Sequence, residues 1–232
     1  KWLLRNALRW HKAALVVSRY LAEELNSFCK GKYYIVGEGL SNKEMFYPLP
    51  AERKDELIRE KKSIFYLGDF RPRKGLEDFL RASEIVFQRM PNIELWIALK
   101  DPGEVKTSVP YQKINHPTVD QLAELYRTCN LFVSASWYEG FGLPPLEAMA
   151  CGAPVVMTNS GGVLDYALHE KNCLLVPPHN PECMADAILR IINDNVLETD
   201  LRANGPATAA QFTWDNATDL MEQALQECTN AL

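Results

Sequence analysis

The 232-residue chain lacks several patterns that would assign it to a functional class at once. Its four histidines are scattered and its six cysteines include no Cys-x-x-Cys pair, so no metal-ligand spacing is present. No stretch approaches the roughly 18 consecutive apolar residues of a membrane-spanning helix, and no signal peptide is visible. A formal net charge of −5 argues against a general nucleic-acid binder, which would show a basic surface.

What is present is typical of a globular protein: 47% of the residues are hydrophobic and 24% are charged. Together with the cysteine pattern, this composition favours a cytoplasmic protein whose thiols are reduced and mostly buried. The chain begins at Lys1 rather than methionine, so we expect it to be a fragment of a longer protein.

Between residues 63 and 195, apolar runs of strand length alternate with segments whose apolar residues repeat at helical spacing. Over the whole chain, the predicted strands are, in order, "AALVVS", "KYYIVGEGL", "SIFYLG", "IELWIAL", "QKIN", "LFVSAS", "PVVMT" and "CLLV". The predicted helices cover residues 2–12, 19–25, 76–90, 118–129, 145–152 and 181–195, and a last one starts near Thr213. This alternation predicts an α/β fold, a Rossmann-like parallel sheet with helices on both faces.

The domain organisation follows from the same pattern. Residues 1–45 alternate helix and strand outside the main sheet and are interpreted as the remnant of a preceding domain with its linker. Residues 46–210 form the Rossmann-like domain, whose first part, residues 51–62, is charged and linker-like. Residues 211–232 form a separate C-terminal helix.

Ligands of open parallel sheets bind beyond the carboxyl ends of the strands, and three loops lie there. "GDFRPRKG" packs Arg71, Arg73 and Lys74 into four residues, which suits a phosphate beside a helix N-terminus. By itself this loop is more often a solvated turn shaped by Pro72. The loop "TNSGGVLDY" is a second, weaker candidate anion site, because glycine pairs commonly serve turns.

The third loop, "SWYEGFGLPPLE", carries two glutamates eight positions apart around a glycine-rich turn. Gly140 and Gly142 allow backbone N–H groups to approach a ligand. Glu147 is expected in the first turn of the following helix, where the helix dipole would favour it. That explanation does not cover Glu139, and a carboxylate pair beside such amides is typical of sites that bind vicinal hydroxyls.

These loops resemble a known family. "SWYEGFGLPPLEAMACGAPVV" is similar to the E-x7-E signature of retaining GT-B glycosyltransferases of the family 4 type. Four further segments resemble that family's motifs in the same order along the chain: "IVGEGLSNKEMF", "YLGDFRPRKGLEDFLRA", "NSGGVLDYALHEKNCLLVPP" and "FTWDNAT". The resemblance covers almost the whole chain, and the combination of motifs is highly specific.

The resemblance implies an enzyme of two facing Rossmann-like halves, of which this chain is the C-terminal, donor-binding half. Its substrate would be a nucleotide-diphosphate sugar, with neither cofactor nor metal, and a saccharide or lipid-linked acceptor would bind the missing half. By position, Glu147 matches the residue that binds the donor ribose and Glu139 the one that faces the donor sugar. Lys74 matches the lysine that neutralises the diphosphate, and Glu139 and Lys74 are the predicted catalytic residues.

The other predicted donor contacts also follow from the resemblance. The backbone at Gly140, Phe141, Gly142 and Leu143 matches the stretch that approaches the sugar and diphosphate, and Ile114 to His116 falls where the family holds the nucleobase. One position departs from the family, because Asp69 replaces its phosphate-binding arginine. Arg71 is expected to substitute if the turn brings it inward; otherwise Asp69 would weaken donor binding.

Two alternatives for the function stay open. A donor-binding or regulatory module without catalysis would explain Asp69, and a related phosphorylase or epimerase would share the fold but use other chemistry. A glycosidase pair is disfavoured, because Glu139 and Glu147 are expected to hold different ends of one donor rather than flank one bond. Residues 1–12 are interpreted as a helix packed on the missing domain, with peripheral membrane contact as the alternative.

Overall fold

The computed structural model describes residues 13–41, 44–50, 52–53, 60–100 and 103–230. Within them the chain forms two parallel β-sheets, one of two strands and one of six. The strands are β1 (Ala13–Val16), β2 (Lys32–Ile35), β3 (Lys62–Gly68), β4 (Ile93–Leu99), β5 (Tyr111–Asn115), β6 (Leu131–Ser134), β7 (Val155–Thr158) and β8 (Leu174–Val176). The predicted helix at residues 2–12 and most of the linker at residues 51–62 lie outside the described residues.

Seven α-helices are found in the described residues, together with two 3₁₀ turns that matter for the site. The helices are α1 (Arg19–Phe28), α2 (Leu76–Arg89), α3 (Val119–Thr128), α4 (Leu143–Ala150), α5 (Pro181–Asn193), α6 (Asn195–Ala209) and α7 (Trp214–Asn230). The 3₁₀ turns are Pro72–Lys74 and Gly162–Asp165. Thr118 caps α3 as predicted, in a capping box completed by the side chain of Gln121.

The six-stranded sheet has the order β5-β4-β3-β6-β7-β8, and all of its pairs are parallel. Side chains of β3 alternate between its faces, so Ile64 and Tyr66 pack in one core and Phe65 in the other. Helices α2 and α5 supply the first core, and α3 and α4 supply the second. The predicted α/β architecture with helices on both faces is therefore confirmed.

The chain runs from β3 outward to β5 and then returns to the other side of β3 with β6. The strand order thus reverses between β3 and β6. At such a switch point the connections that leave the two strands diverge and open a crevice at their carboxyl ends. The loops after β3 and β6 are two of the three loops that the sequence analysis singles out for their charged residues and glycines.

The first strands form a small unit beside the main sheet. Strand β1 pairs with β2 in parallel, and α1 connects them. The last helix, α7, reaches this unit, where Glu227 accepts a hydrogen bond of 2.8 Å from Lys32. The helix starts one residue after the predicted Thr213, whose hydroxyl accepts from the backbone N–H of Asn216.

Helix α6 was not predicted, and its sequence explains why. It contains Gly205 and Pro206, both of which weaken a helix interior, so the pattern resembles a loop. Tertiary packing overrides these preferences. A Cβ at Gly205 would lie 3.0 Å from the Met149 carbonyl oxygen, so glycine permits the close approach of α6 to α4. Asp194 caps the helix by accepting from two backbone N–H groups.

Two smaller expectations can also be compared with the structure. Cys129, Cys151 and Cys173 are buried, while Cys183 is exposed and the remaining two are intermediate. The cysteines are thus less buried than the composition suggested. In the part of the chain that is described, no helix combines the length and the apolar character needed to cross a membrane.

Candidate functional site

Lys74 and Glu139 meet at the switch point. The Lys74 Nζ donates to Glu139 Oε1 at 2.5 Å, although the two residues are 65 positions apart. The side chains are only 16% and 14% exposed, so the pair is largely shielded from water. The Ser136 hydroxyl also donates to Glu139 Oε1 at 2.8 Å, and Arg73 lies 3.6 Å from Oε2. The structure therefore brings together the two residues predicted to be catalytic.

The turn that carries Lys74 is shaped by its own backbone. Pro72 starts the 3₁₀ turn, and Gly75 ends it with φ of 67°, in the left-handed region. A Cβ at Gly75 would lie 2.0 Å from the Ala135 carbonyl oxygen, so only glycine fits against the loop after β6. The Tyr66 hydroxyl donates to the Lys74 carbonyl at 3.0 Å. These contacts fix the position from which the Lys74 side chain extends.

Arg71 is held by Asp69. Its backbone N–H and its Nε donate to Asp69 Oδ1 at 2.9 and 3.0 Å, and its guanidinium also binds Oδ2. The Asp69 side chain is 4% exposed and that of Arg71 is 60% exposed. The Arg71 guanidinium holds the pKa of Asp69 below its usual range. The acidic residue at the end of β3 is thus neutralised within its own turn, and the guanidinium remains accessible at the surface.

Glu147 has different surroundings. It is the fifth residue of α4, because the helix begins at Leu143, so the expectation that it lies in the first turn is wrong. Its Oε2 accepts from the Tyr126 hydroxyl at 3.2 Å. Desolvation by burial raises its pKa, while the Tyr126 hydrogen bond and the more distant charge of Lys100 act in the opposite direction. The helix dipole is therefore not what places a carboxylate here.

The glycine-rich turn joins the two glutamates. Gly142 has φ of 92° and precedes α4, whose first turn contains Pro144 and Pro145. The Phe141 ring is buried between Tyr166 and Phe212, so its side chain anchors the turn in the core. Because the ring is buried, the contact predicted for Phe141 could involve its backbone N–H but not its side chain. Leu143, the first residue of α4, is partly buried against the same core.

The loop after β7 is bound to this turn. The Glu139 N–H donates to the Ser160 carbonyl at 2.8 Å, and the Gly162 N–H donates to the Glu139 carbonyl at 3.0 Å. A Cβ at Gly162 would lie 2.0 Å from the Gly140 carbonyl oxygen, so the two loops touch through glycine backbone. The candidate site therefore combines all three loops that the sequence singled out.

Two predicted residues lie further along the sheet. Ile114 belongs to β5, the edge strand, and His116 follows it with a positive φ of 46°. The His116 N–H donates to the Leu99 carbonyl at 3.2 Å, which ties this loop to the end of β4. Both lie at the carboxyl edge of the sheet, separated from β3 by β4, and their predicted role in holding a base stays a prediction.

Sequence reasoning missed several residues that shape the site. Ser136 positions Glu139, Tyr126 contacts Glu147, and the Tyr166 hydroxyl donates to the Gly142 carbonyl. Tyr126 and Tyr166 come from α3 and from the segment after β7, so local spacing could not connect them to the glutamates. For Ser136, the only signal was its place three residues before Glu139.

Comparisons with known proteins agree with this architecture. The family described as Glycosyl transferases group 1 matches residues 61–194, more than half of the chain. An uncharacterized glycosyltransferase of Methanocaldococcus jannaschii is 30% identical over 221 residues, which cover 87% of this chain and 56% of that protein. The chain thus spans little more than half the length of this curated relative.

Solved structures show the same fold. Sucrose-phosphate synthase from Thermosynechococcus elongatus superposes with a TM-score of 0.83 at 26% identity, covering 100% of this chain and 62% of that one. Anabaena HepE, solved in complex with UDP and glucose, superposes with a TM-score of 0.77 at 19% identity, covering 99% of this chain and 67% of that one.

Proposed function

Since the chain belongs to the group 1 glycosyl transferases, we propose that it binds the nucleotide-diphosphate sugar from which the whole protein transfers a hexose with retention of configuration. The observation that carries this proposal is the shielded Lys74–Glu139 pair at the switch point, beside a glycine-rich turn. The complex of Anabaena HepE with UDP and glucose supports a donor of this chemical class.

The proposed roles of the site residues follow from where charge develops during the reaction. In transfer, the bond between the anomeric carbon and the diphosphate oxygen breaks, and the acceptor oxygen bonds to that carbon on the same face. The acceptor proton passes to the departing diphosphate. Negative charge grows on the diphosphate, where Lys74 and the N–H groups of Gly140 to Leu143 would stabilise it. Glu139 would hold the sugar, and Glu147 would accept hydrogen bonds from ribose hydroxyls.

Donor binding requires the Lys74–Glu139 contact to be shared or broken. A diphosphate competes with the Glu139 carboxylate for the same ammonium group, and the sugar hydroxyls then offer Glu139 new donors. The Lys74–Glu139 pair is in this respect a preorganised site, with the cation and the acceptor already placed by their loops. These cationic and backbone groups leave the reaction independent of a metal in this proposal.

The acceptor site belongs to the remainder of the protein. We therefore expect the 232-residue chain to bind donor and to transfer no sugar by itself. The acceptor is proposed to be a saccharide or a lipid-linked molecule. The protein is proposed to be cytoplasmic, with residues 1–12 as the candidate for membrane contact. The pairing of Asp69 with Arg71 favours a second candidate, a donor-binding or regulatory module without catalysis, because it leaves fewer cations to stabilise the charge that grows on a departing diphosphate.

Calorimetric titration with UDP-, GDP- and dTDP-linked sugars tests the proposal. We expect one nucleotide class to bind the chain, with the free nucleoside diphosphate competing for the same site. Failure of all three classes to bind would overturn the proposed donor site. Sugar transfer by the 232-residue chain alone would contradict the division of roles, and donor binding without transfer by the whole protein would favour the second candidate.

A further inference from the structure

Three consecutive residues at the start of α1 contact the candidate site, although they lie in the segment interpreted as part of a preceding domain. Ser18 is hydrogen-bonded to Gly140, Arg19 to Asp165, and Tyr20 packs on Gly161. The partners belong to the loops after β6 and β7, more than 120 positions away along the chain. The small N-terminal unit is therefore joined directly to the glycine-rich turns of the proposed donor site.

Ser18 makes the most buried of these contacts. Its side chain is fully buried, its Oγ accepts from the Leu21 N–H at 3.1 Å as the cap of α1, and its hydroxyl donates to the Gly140 carbonyl at 2.6 Å. One hydroxyl thus ends the helix and holds the turn between the two glutamates. The bond fixes the peptide between Gly140 and Phe141, whose N–H is one of the proposed donor contacts.

Arg19 and Tyr20 hold the neighbouring loop. Asp165 accepts from the Arg19 backbone N–H at 3.0 Å and from its Nε at 3.1 Å. The Tyr20 ring covers Gly161, where a Cβ would lie 2.6 Å from the ring, and meets the Tyr138 ring edge-on at 5.6 Å. The Glu139 backbone is hydrogen-bonded to Ser160 and Gly162, the two neighbours of Gly161. The contacts of Arg19 and Tyr20 with this loop therefore also stabilise the backbone that carries Glu139.

We propose that Ser18, with Arg19 and Tyr20, positions the Glu139–Gly142 turn for binding of the nucleotide diphosphate. These are positioning residues, because they act through the loop backbone and not through contact with the ligand. The inference deepens the proposed function and rests on it. It also makes the segment before β2 part of the donor site, instead of a remnant that merely precedes it.

The test separates the two roles of Ser18 by substitution. Ser18→Ala removes both the helix cap and the hydrogen bond to Gly140, whereas Ser18→Gly removes the hydrogen bond and largely preserves the capping preference. Asp194→Ala is the matched control, because it removes the side-chain cap of another helix, α6, where Asp194 accepts from the N–H groups of Val196 and Leu197. Each variant of the 232-residue chain is titrated with UDP, GDP and dTDP, and amide hydrogen exchange is followed at residues 139–143 and 160–162.

We expect both Ser18 variants to weaken binding of the preferred diphosphate about threefold to tenfold, as loss of one hydrogen bond implies. Amides of the turn should exchange faster in both Ser18 variants, and Asp194→Ala should change neither the affinity nor the exchange. Wild-type affinity and exchange in Ser18→Gly, or equal weakening in Asp194→Ala, would overturn the inference. If no diphosphate binds the wild-type chain, the proposed function fails, and the exchange data alone then decide whether Ser18 orders the turn.

Discussion

Glu139 and Glu147 lie at the two ends of one stretch, and their surroundings are opposite. Glu139 precedes the glycine-rich turn, and its carboxylate contacts Lys74 at 2.5 Å and lies 3.6 Å from Arg73. Glu147 lies within α4 and accepts one hydrogen bond from Tyr126, while burial raises its pKa. Identical side chains eight residues apart are therefore suited to different tasks: one carboxylate is bound to a cation, and the other can accept hydrogen bonds from a ligand.

Replacing Glu147 should have the largest effect on nucleotide binding. Glu147→Ala removes the carboxylate that is proposed to accept from ribose hydroxyls, and hydrogen bonds to charged groups imply about a tenfold to hundredfold loss of affinity for the preferred diphosphate. Titration of the variant measures this loss. Tyr126→Phe is the control for local packing, because it removes the hydroxyl that donates to Glu147 and keeps the Glu147 carboxylate. Unchanged affinity in Glu147→Ala would show that the site assignment is wrong.

Replacing Glu139 should change the affinity for free diphosphate in the opposite direction. Glu139→Ala releases Lys74 from its ion pair, so we expect a nucleoside diphosphate without sugar to bind about twofold to tenfold more tightly. The affinity for the nucleotide sugar should not rise in the same way, because the variant lacks the carboxylate proposed to hold the sugar. Titrations of the variant with the diphosphate and with its sugar conjugate measure the two affinities. Weaker binding of the free diphosphate would contradict the assigned competition for Lys74.

Asp69, five residues before Lys74, allows a test with a smaller expected effect. Asp69→Asn removes a negative charge beside the proposed diphosphate site and loosens Arg71, so diphosphate affinity should rise about twofold to fivefold. The effect should shrink at high salt, because Arg71 is largely exposed. Titration at low and high ionic strength measures it. A fall in affinity would mean that Asp69 supports binding by holding Arg71 in place.

The smallest effect is expected in how the free energy of unfolding depends on pH when Glu147 is replaced. A carboxyl whose pKa is raised in the folded protein favours folding below its ordinary value of 4.5, and this contribution is lost as the pH rises through the folded pKa. Glu147→Gln cannot ionise and keeps an acceptor for Tyr126. The variant should therefore gain stability relative to the wild type as the pH rises above 4.5, as measured by urea unfolding. A difference that is independent of pH would contradict the raised pKa.

Much of the fold could be predicted because its strands and helices have strong local patterns. Strand β4 was predicted with its observed bounds, and the cap of α3 at Thr118 follows from a local hydrogen-bond motif. Helix α6 could not be predicted, because Gly205 and Pro206 are unfavourable in a helix and are tolerated only through packing against α4. The pairing of Arg71 with Asp69 could not be predicted either, because it depends on the burial of Asp69 in the folded turn.

The alternation of strands and helices, the three loops with their charges and glycines, and the spacing of the two glutamates could all be read from the order of the residues. These are properties of residue type and local order. The folded chain was needed to show that Lys74 pairs with Glu139, that Glu147 is desolvated near Tyr126, and that Ser18 is hydrogen-bonded to Gly140. The Lys74–Glu139 contact arises because the parallel strands β3 and β6 bring their carboxyl ends to one edge of the sheet. The other two contacts depend on the packing of α3 against α4 and of the N-terminal unit against the loop after β6, which local sequence does not specify.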